Sequence, residues 1–419
     1  MRQRAFLLLI CALAFAGCGE ETSGRYGGEN QSGANGAGSL GPAGNKGGYG
    51  QRAAILLPMT GPRADLGKVL LQAAQLALGN GAGPALDVID TAGTPAGAVT
   101  AAQTAINNHD SLILGPLTSA ETAAVAPVAR GANIPVLAFT NDSSQAQPGV
   151  WTLGITPAQQ VRRLVVAAEA QGKTQFAALL PATDFGQAMA NGLTKAVAAE
   201  NLPPARVRMH GSGMGAITAA TKDVSGYADR RGPIEAKVKE ARALGTPEGR
   251  HEAQELMKTP IPPPSFNVLL LADTGEALQE ITSVLPYYDI DRSAVQFVGP
   301  ALWADPASGS GAVPGAWYAA PDNASRAALE RDYAAKYGVP PPPLADLAYD
   351  SASVAAAIIG RGGAQTSVLT QPAGFLGTDG WLAFLPDGQV RRGLAVFRIE
   401  RGGPALIDPA PQSSGAPGS

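Results

Sequence analysis

The sequence predicts an α/β protein built as two doubly wound βαβ lobes, each a parallel sheet with helices on both faces. Three observations carry this reading. Short β-rich runs alternate with helical patterns along most of the chain, the links between them are short, and after a run at 150–155 the alternation starts afresh. A parallel return needs a crossover helix, so four successive βα repeats imply a covered sheet, and a second series implies a second sheet.

The first strand is expected over 53–57, ended by Pro58-Met59-Thr60-Gly61-Pro62. Leu66, Val69, Leu70, Ala73, Ala74 and Ala77 then recur at helical spacing. The first lobe continues with strand 86–89, helix 95–107, strand 111–114, helix 121–130 and strand 135–139. The second opens with helix 158–171, strand 175–180, helix 187–200 and strand 206–209. The stretch 211–264 breaks the rhythm with a Gly-rich start, a charged helical run at 234–244 and prolines at 260–264, and reads as an insertion on the second lobe. Alternation resumes at 267–272, 276–284 and 295–298. A strand around Trp317, helices at 324–337 and 345–359, and a hairpin close the chain. The hairpin signal is Pro386-Asp387-Gly388 between apolar runs at 381–385 and 394–399.

At the start stand Arg2 and Arg4, an apolar run at 5–15, and Ala16-Gly17-Cys18. Small residues before a cysteine form the pattern that a lipoprotein signal peptidase reads, and the apolar run is too short for a permanent span. The expectation is a signal peptide at 1–17, lipid on Cys18, and a periplasmic body held to the outer membrane, since Gly19 rather than an aspartate follows the cysteine. Residues 18–50 are nearly devoid of apolar side chains and read as a flexible tether, and 409–419 as a disordered tail.

Composition excludes several functions. With 31 Lys+Arg against 34 Asp+Glu the chain lacks the basic excess that nucleic acid or an anionic membrane surface requires, so membrane contact is expected through lipid alone. Cys11 and Cys18 both lie in the leader region, which leaves the body no thiol for a disulfide or a nucleophile. His109, His210 and His251 have no second ligand at metal spacing and read as solvated or singly hydrogen-bonded. The Gly211-Ser212-Gly213-Met214-Gly215 string has the wrong spacing for a dinucleotide loop or a nucleophile elbow. Asp184, Asp273 and Asp350 are dispersed and read as caps or solvated charges. No cofactor, metal or catalytic role is expected.

Two loops could hold a ligand. Thr118 and Glu121 fit a capping box at the helix following 115–117, and a helix start at the carboxyl edge of a parallel sheet also binds carboxylates, so both readings stand. Thr140-Asn141-Asp142-Ser143-Ser144 follows the next strand on that edge, either as donors to a ligand or as a polar turn.

The order of elements, with the strings Leu57-Pro58-Met59-Thr60-Gly61-Pro62, Gly115-Pro116-Leu117-Thr118-Ser119, Ile134-Pro135-Val136-Leu137-Ala138-Phe139, Asp184-Phe185-Gly186 and the run from Pro340 to Tyr349-Asp350, resembles the type I periplasmic binding proteins of the leucine-binding group. The resemblance covers roughly 51–409. It implies lobes joined by several hinge crossings, with a first lobe of 51–155 and 316–372 and a second of 156–315 and 373–408. It places a cleft ligand on Ser119, Thr140 and Asp142, with Thr118 and Asn141 beside them. From the second lobe it brings Phe185, Asp273 where the family has an aromatic, and Ala301 where the family has a carboxylate. Ala301 cannot pair with an ammonium, and Leu66 replaces a polar aromatic. Lipidation, tether and insertion look more like penicillin-binding-protein activators, implying a peptidoglycan synthase as partner. The other implied partner is an ABC permease served by an amino acid or small amide receptor.

Overall fold

The computed structural model describes residues 38–39, 52–79, 83–359 and 363–413, so the expected signal peptide and Cys18 lie outside the described residues. Within the stretch read as tether, β1 (Gly38–Ser39) pairs in parallel with a strand far along the chain, at Phe375 and Leu376.

The first lobe runs β2 (Arg52–Leu57), α1 (Ala64–Leu78), β3 (Ala85–Asp90), α2 (Pro95–Asn107), β4 (Ile113–Leu114), α3 (Ser119–Gly131), β5 (Val136–Ala138) and β6 (Val150–Thr152). Its sheet is parallel in the order β3-β2-β4-β5-β6. Strand side chains alternate between faces. Accordingly Ala53, Ile55 and Leu57 enter one core with Leu70, Ala73 and Ala77 of α1, while Ala54 and Leu56 enter another with Ala98, Ala102, Val125 and Ala129 of α2 and α3. The alanines let the helices approach closely.

The second lobe follows with α4 (Pro157–Glu169), β7 (Phe176–Pro181), α5 (Asp184–Ala199), β8 (Arg206–His210), α6 (Met214–Val224), α7 (Tyr227–Ala243), α8 (Pro247–Met257), β9 (Val268–Leu271), α9 (Gly275–Val284), β10 (Gln296–Gly299) and β11 (Trp317–Ala320). The chain returns through α10 (Asn323–Tyr337), α11 (Ala345–Ile359), α12 (Thr366–Leu369), β12 (Phe375–Gly377), β13 (Gly380–Phe384) and β14 (Val390–Arg392), then ends with β15 (Ala395–Glu400) and β16 (Gly403–Asp408). The second sheet has the order β16-β15-β11-β10-β9-β7-β8, with β15 and β16 antiparallel.

Five expectations are corrected. The strand at Trp317 belongs to the second sheet, between β10 and β15, and not to the first lobe. Conversely Phe375, Leu382, Phe384 and Val390, placed by sequence in the second lobe, sit in the first-lobe core. The Pro386-Asp387-Gly388 turn joins β13 to the short β14, and only then does the chain cross to β15, because the run at 394–399 finds its partner in β11. Within 211–264, α6 is a regular covering helix whose Ile217 and Val224 are core residues, so the addition reduces to the α7 and α8 hairpin with a small core of Val238, Ala241 and Ala253. The start of the expected tail is packed as well: Ala410 is buried in the second lobe and the Pro409 carbonyl accepts from Arg163 Nη2 at 3.0 Å.

The lobes are joined at three crossings, at 153–156, 321–322 and 393–394. Arg392 binds two of them together, its Nε and Nη2 donating to the Leu153 carbonyl at 3.2 and 2.7 Å.

Candidate functional site

The carboxyl ends of the first-lobe strands carry the loops that sequence singled out. Gly115 has φ 83°, and a Cβ there would stand 2.5 Å from the Leu56 carbonyl oxygen, so the loop that delivers α3 to this edge requires glycine. The capping box forms as expected. Thr118 Oγ1 accepts from the Glu121 amide at 3.3 Å, and Glu121 Oε2 accepts from the Thr118 amide at 3.1 Å. Glu121 is fully buried, and its second oxygen accepts from Thr91 Oγ1 at 2.6 Å, so capping also ties α3 to the loop after β3.

Ser119, Thr140 and Asp142 come together. Asp142 Oδ2 accepts from Ser119 Oγ and from Gln145 Nε2, Oδ1 accepts from the amide and hydroxyl of Ser144 at 3.0 and 2.6 Å, and the Asp142 amide donates to Thr140 Oγ1 at 3.1 Å. Burial would raise the Asp142 carboxyl, but the hydrogen bonds from Ser119, Ser144 and Gln145 outweigh it and hold its pKa below the usual carboxylate value. Both carboxylate oxygens are thus engaged within their own lobe. Asn141 is exposed on the same loop, its Cα close against Gly154.

The second-lobe residues lie elsewhere. Phe185 is half-buried against the core between α4 and α5. Asp273, at the end of β9, is only 6% exposed. Its Oδ2 faces His210 Nε2 at 3.1 Å, and its carbonyl accepts from Trp303 Nε1 at 3.0 Å. His210 Nδ1 lies 2.9 Å from the Gly211 carbonyl oxygen. Burial opposes charge on the imidazole, but the bonds to Asp273 and Gly211 prevail and raise its pKa. Ala301 is half-buried and donates its amide to Gln160 Oε1 at 2.8 Å, while neighbouring Leu302 is exposed. Among the described residues no hydrogen bond joins the Ser119 group to Phe185 or Asp273.

His210 was missed as a site residue, because its partner is 63 positions away and no local pattern announces the pair. Asp350 is likewise no solvated charge. It is buried, with Oδ1 accepting from the Thr378 amide and hydroxyl at 2.8 and 2.9 Å. The signal was available, since Asp346 and Asp350 stand four apart in a helix with no other charged residue and so share one face.

Two lobes of parallel sheet with helices on both faces, crossed three times and carrying polar loops at the strand ends, are the architecture of a binding protein. The chain belongs to the periplasmic binding protein family, whose model matches residues 50–404, in its type I, leucine-binding form. Among solved structures it is similar to a putative branched-chain amino acid ABC transporter protein from Rhodospirillum rubrum, at 19% identity and TM-score 0.63 over 85% of this chain and 99% of that one. It is similar also to the C-domain of LpoA from Haemophilus influenzae, a regulator of PBP1A, at 14% identity and TM-score 0.61 over 85% and 100%. Against full-length LpoA the match spans 59% of that chain. No curated protein matches the chain in sequence. At these identities the likenesses establish the fold. The family and these relatives are binding proteins or regulators.

Proposed function

We propose that this chain is a lipoprotein, anchored by lipid on Cys18 to the outer membrane, whose periplasmic two-lobed body binds and regulates a peptidoglycan synthase. One observation carries the reading: neither second-lobe position where the family resemblance or this sequence would put a carboxylate, 301 or 273, has one free for an amino acid's ammonium. Ala301 offers only its backbone, and Asp273 is taken up by His210. The likeness to the LpoA C-domain supports it, as does the length of chain between Cys18 and β1, which suits a tether reaching through the cell wall.

A second reading, an ABC-importer receptor for an amino acid or small amide, is favoured by the Ser119, Thr140 and Asp142 cluster beside the start of α3, where the first helical amides are free of intrahelical partners. Calorimetry and affinity capture separate the two. A missing bond to a charged group costs about 1.5–3 kcal/mol, or roughly ten- to a hundred-fold in affinity, so leucine, isoleucine and valine should bind weakly. Submicromolar binding of any of them overturns the regulator reading. Capture of the periplasmic domain of a penicillin-binding protein that survives Ser119→Ala supports it.

A further inference from the structure

Beneath the hinge lies a buried charge cluster that neither reading of the cleft uses. Asp346 and Asp350 project from one face of α11, and Asp379 sits in the turn between β12 and β13. All three are buried. Two guanidiniums face them. Arg326 of α10 donates from Nε to Asp346 Oδ2 at 2.6 Å and also serves Glu330 and the Pro341 carbonyl, while Arg392 Nη1 lies 3.6 Å from Asp379 Oδ2. Asp346 Oδ1, Asp350 Oδ2 and Arg392 Nη1 are buried without a hydrogen-bond partner. The enclosure is tight, since a Cβ on Gly377 would come within 2.4 Å of Asp350 Oδ2.

With Glu330 half-exposed and solvated, the three buried carboxylates against two guanidiniums leave one negative charge in excess. A buried unpaired charge is costly, whereas one proton on the carboxylates makes the cluster neutral. Arg392 is also the residue that ties the first and third crossings through the Leu153 carbonyl.

We propose that the Asp346, Asp350 and Asp379 cluster is a proton-operated latch of the hinge, which holds the crossings together while it carries one proton and loosens them when that proton leaves. Loss of the proton restores repulsion between Asp350 and the Asp379 turn. Arg392 then moves toward the uncompensated charge and gives up the Leu153 carbonyl. The charges that act on the cluster are its own members with Arg326, Arg392 and, behind Arg326, Glu330. Tyr349 beside Asp350 is itself raised by burial and by that carboxylate. Burial and the neighbouring carboxylates push both Asp346 and Asp350 far above the usual carboxylate range, as a retained proton requires.

The test is spin-label distance measurement between the lobes in the full chain, with Cys11→Ser and Cys18→Ser and labels at Gln103→Cys and Lys195→Cys, both exposed. The separation is expected to lengthen and broaden between about pH 6 and about pH 9, and Asp350→Asn, permanently neutral, should keep the low-pH distribution at both. Asp346→Asn is read in the same way if Asp350→Asn does not fold. Identical wild-type distributions, a shift retained in the Asn variant, or a shift lost on His210→Gln each overturn the latch.

Discussion

His210 Nε2 stands 3.1 Å from Asp273 Oδ2, and the opposite ring nitrogen of His210 faces the Gly211 carbonyl at 2.9 Å. Two acceptors around one imidazole call for a donor at each nitrogen, which is the imidazolium. The pair therefore joins the ends of β8 and β9 by a charge-assisted bond and engages the carboxylate at a position where the family resemblance has a ligand-facing aromatic.

Replacing His210 by alanine leaves Asp273 buried and unpaired. Breaking a buried pair in this way costs about 3–5 kcal/mol. Urea unfolding should show that loss in His210→Ala, while His210→Ala combined with Asp273→Ala should recover part of it. Equal stability of wild type and the single variant would mean that the pair is no bond at all.

Stability should fall as pH rises through the neutral range, for two reasons of the same sign. The raised histidine contributes stability that is whole below its unfolded pKa of about 6.5 and is lost as pH climbs through its folded pKa. The Asp346 and Asp350 pair, also raised, keeps a proton that the unfolded chain has released above about pH 4, so the folded state loses that advantage as pH rises toward the pair's folded values. The lowered carboxyls of Asp90, Asp142 and Asp223 work the other way, but their contribution is lost only as pH falls below the ordinary carboxylate range. The denaturation midpoint should therefore be higher at about pH 6 than at about pH 8.5, and a midpoint that rises instead contradicts both assignments.

What could be read in the sequence was local. The run ending at Leu57 is apolar throughout and stopped by proline, so β2 was legible, as was the capping box at Thr118. Lobe membership was not, because it depends on which distant strand offers an open edge. Trp317 pairs with Arg398, and Phe384 with Val390, for reasons that lie in the packing of whole sheets. The Ser119 and Asp142 contact followed from two loops leaving one sheet edge, whereas Asp273 could be placed in the cleft only by analogy, and analogy could not supply His210.

Arg230 holds the α7 and α8 hairpin to the second lobe. It donates to the Ser225, Pro262 and Tyr288 carbonyls at 3.0, 2.6 and 2.8 Å and to Asp289 at 3.0 Å, while Tyr227 meets Tyr288 edge-on at 5.2 Å. The hairpin's own apolar core is small, so Arg230→Ala should open it locally without unfolding the lobe. Limited proteolysis should cut the variant faster at the linkers around Gly245 and at 258–263, with the melting of the remainder little changed. Cleavage at the wild-type rate would show that Arg230 anchors nothing.

The proposed lipid anchor is tested at Cys18. Stable attachment to a bilayer takes at least two acyl chains, because a single chain binds only marginally, and no described helix is long and apolar enough to cross a membrane in their place. Cys18→Ala removes the proposed attachment point while leaving the folded body from Arg52 onward unchanged. The variant should leave the outer-membrane fraction, lose incorporation of labelled fatty acid, and unfold at the same denaturant concentration as the wild type. A Cys18→Ala chain that still sediments with the outer membrane would show that the body is held there by a protein contact, and the reach proposed for the segment between Cys18 and β1 would then need another purpose.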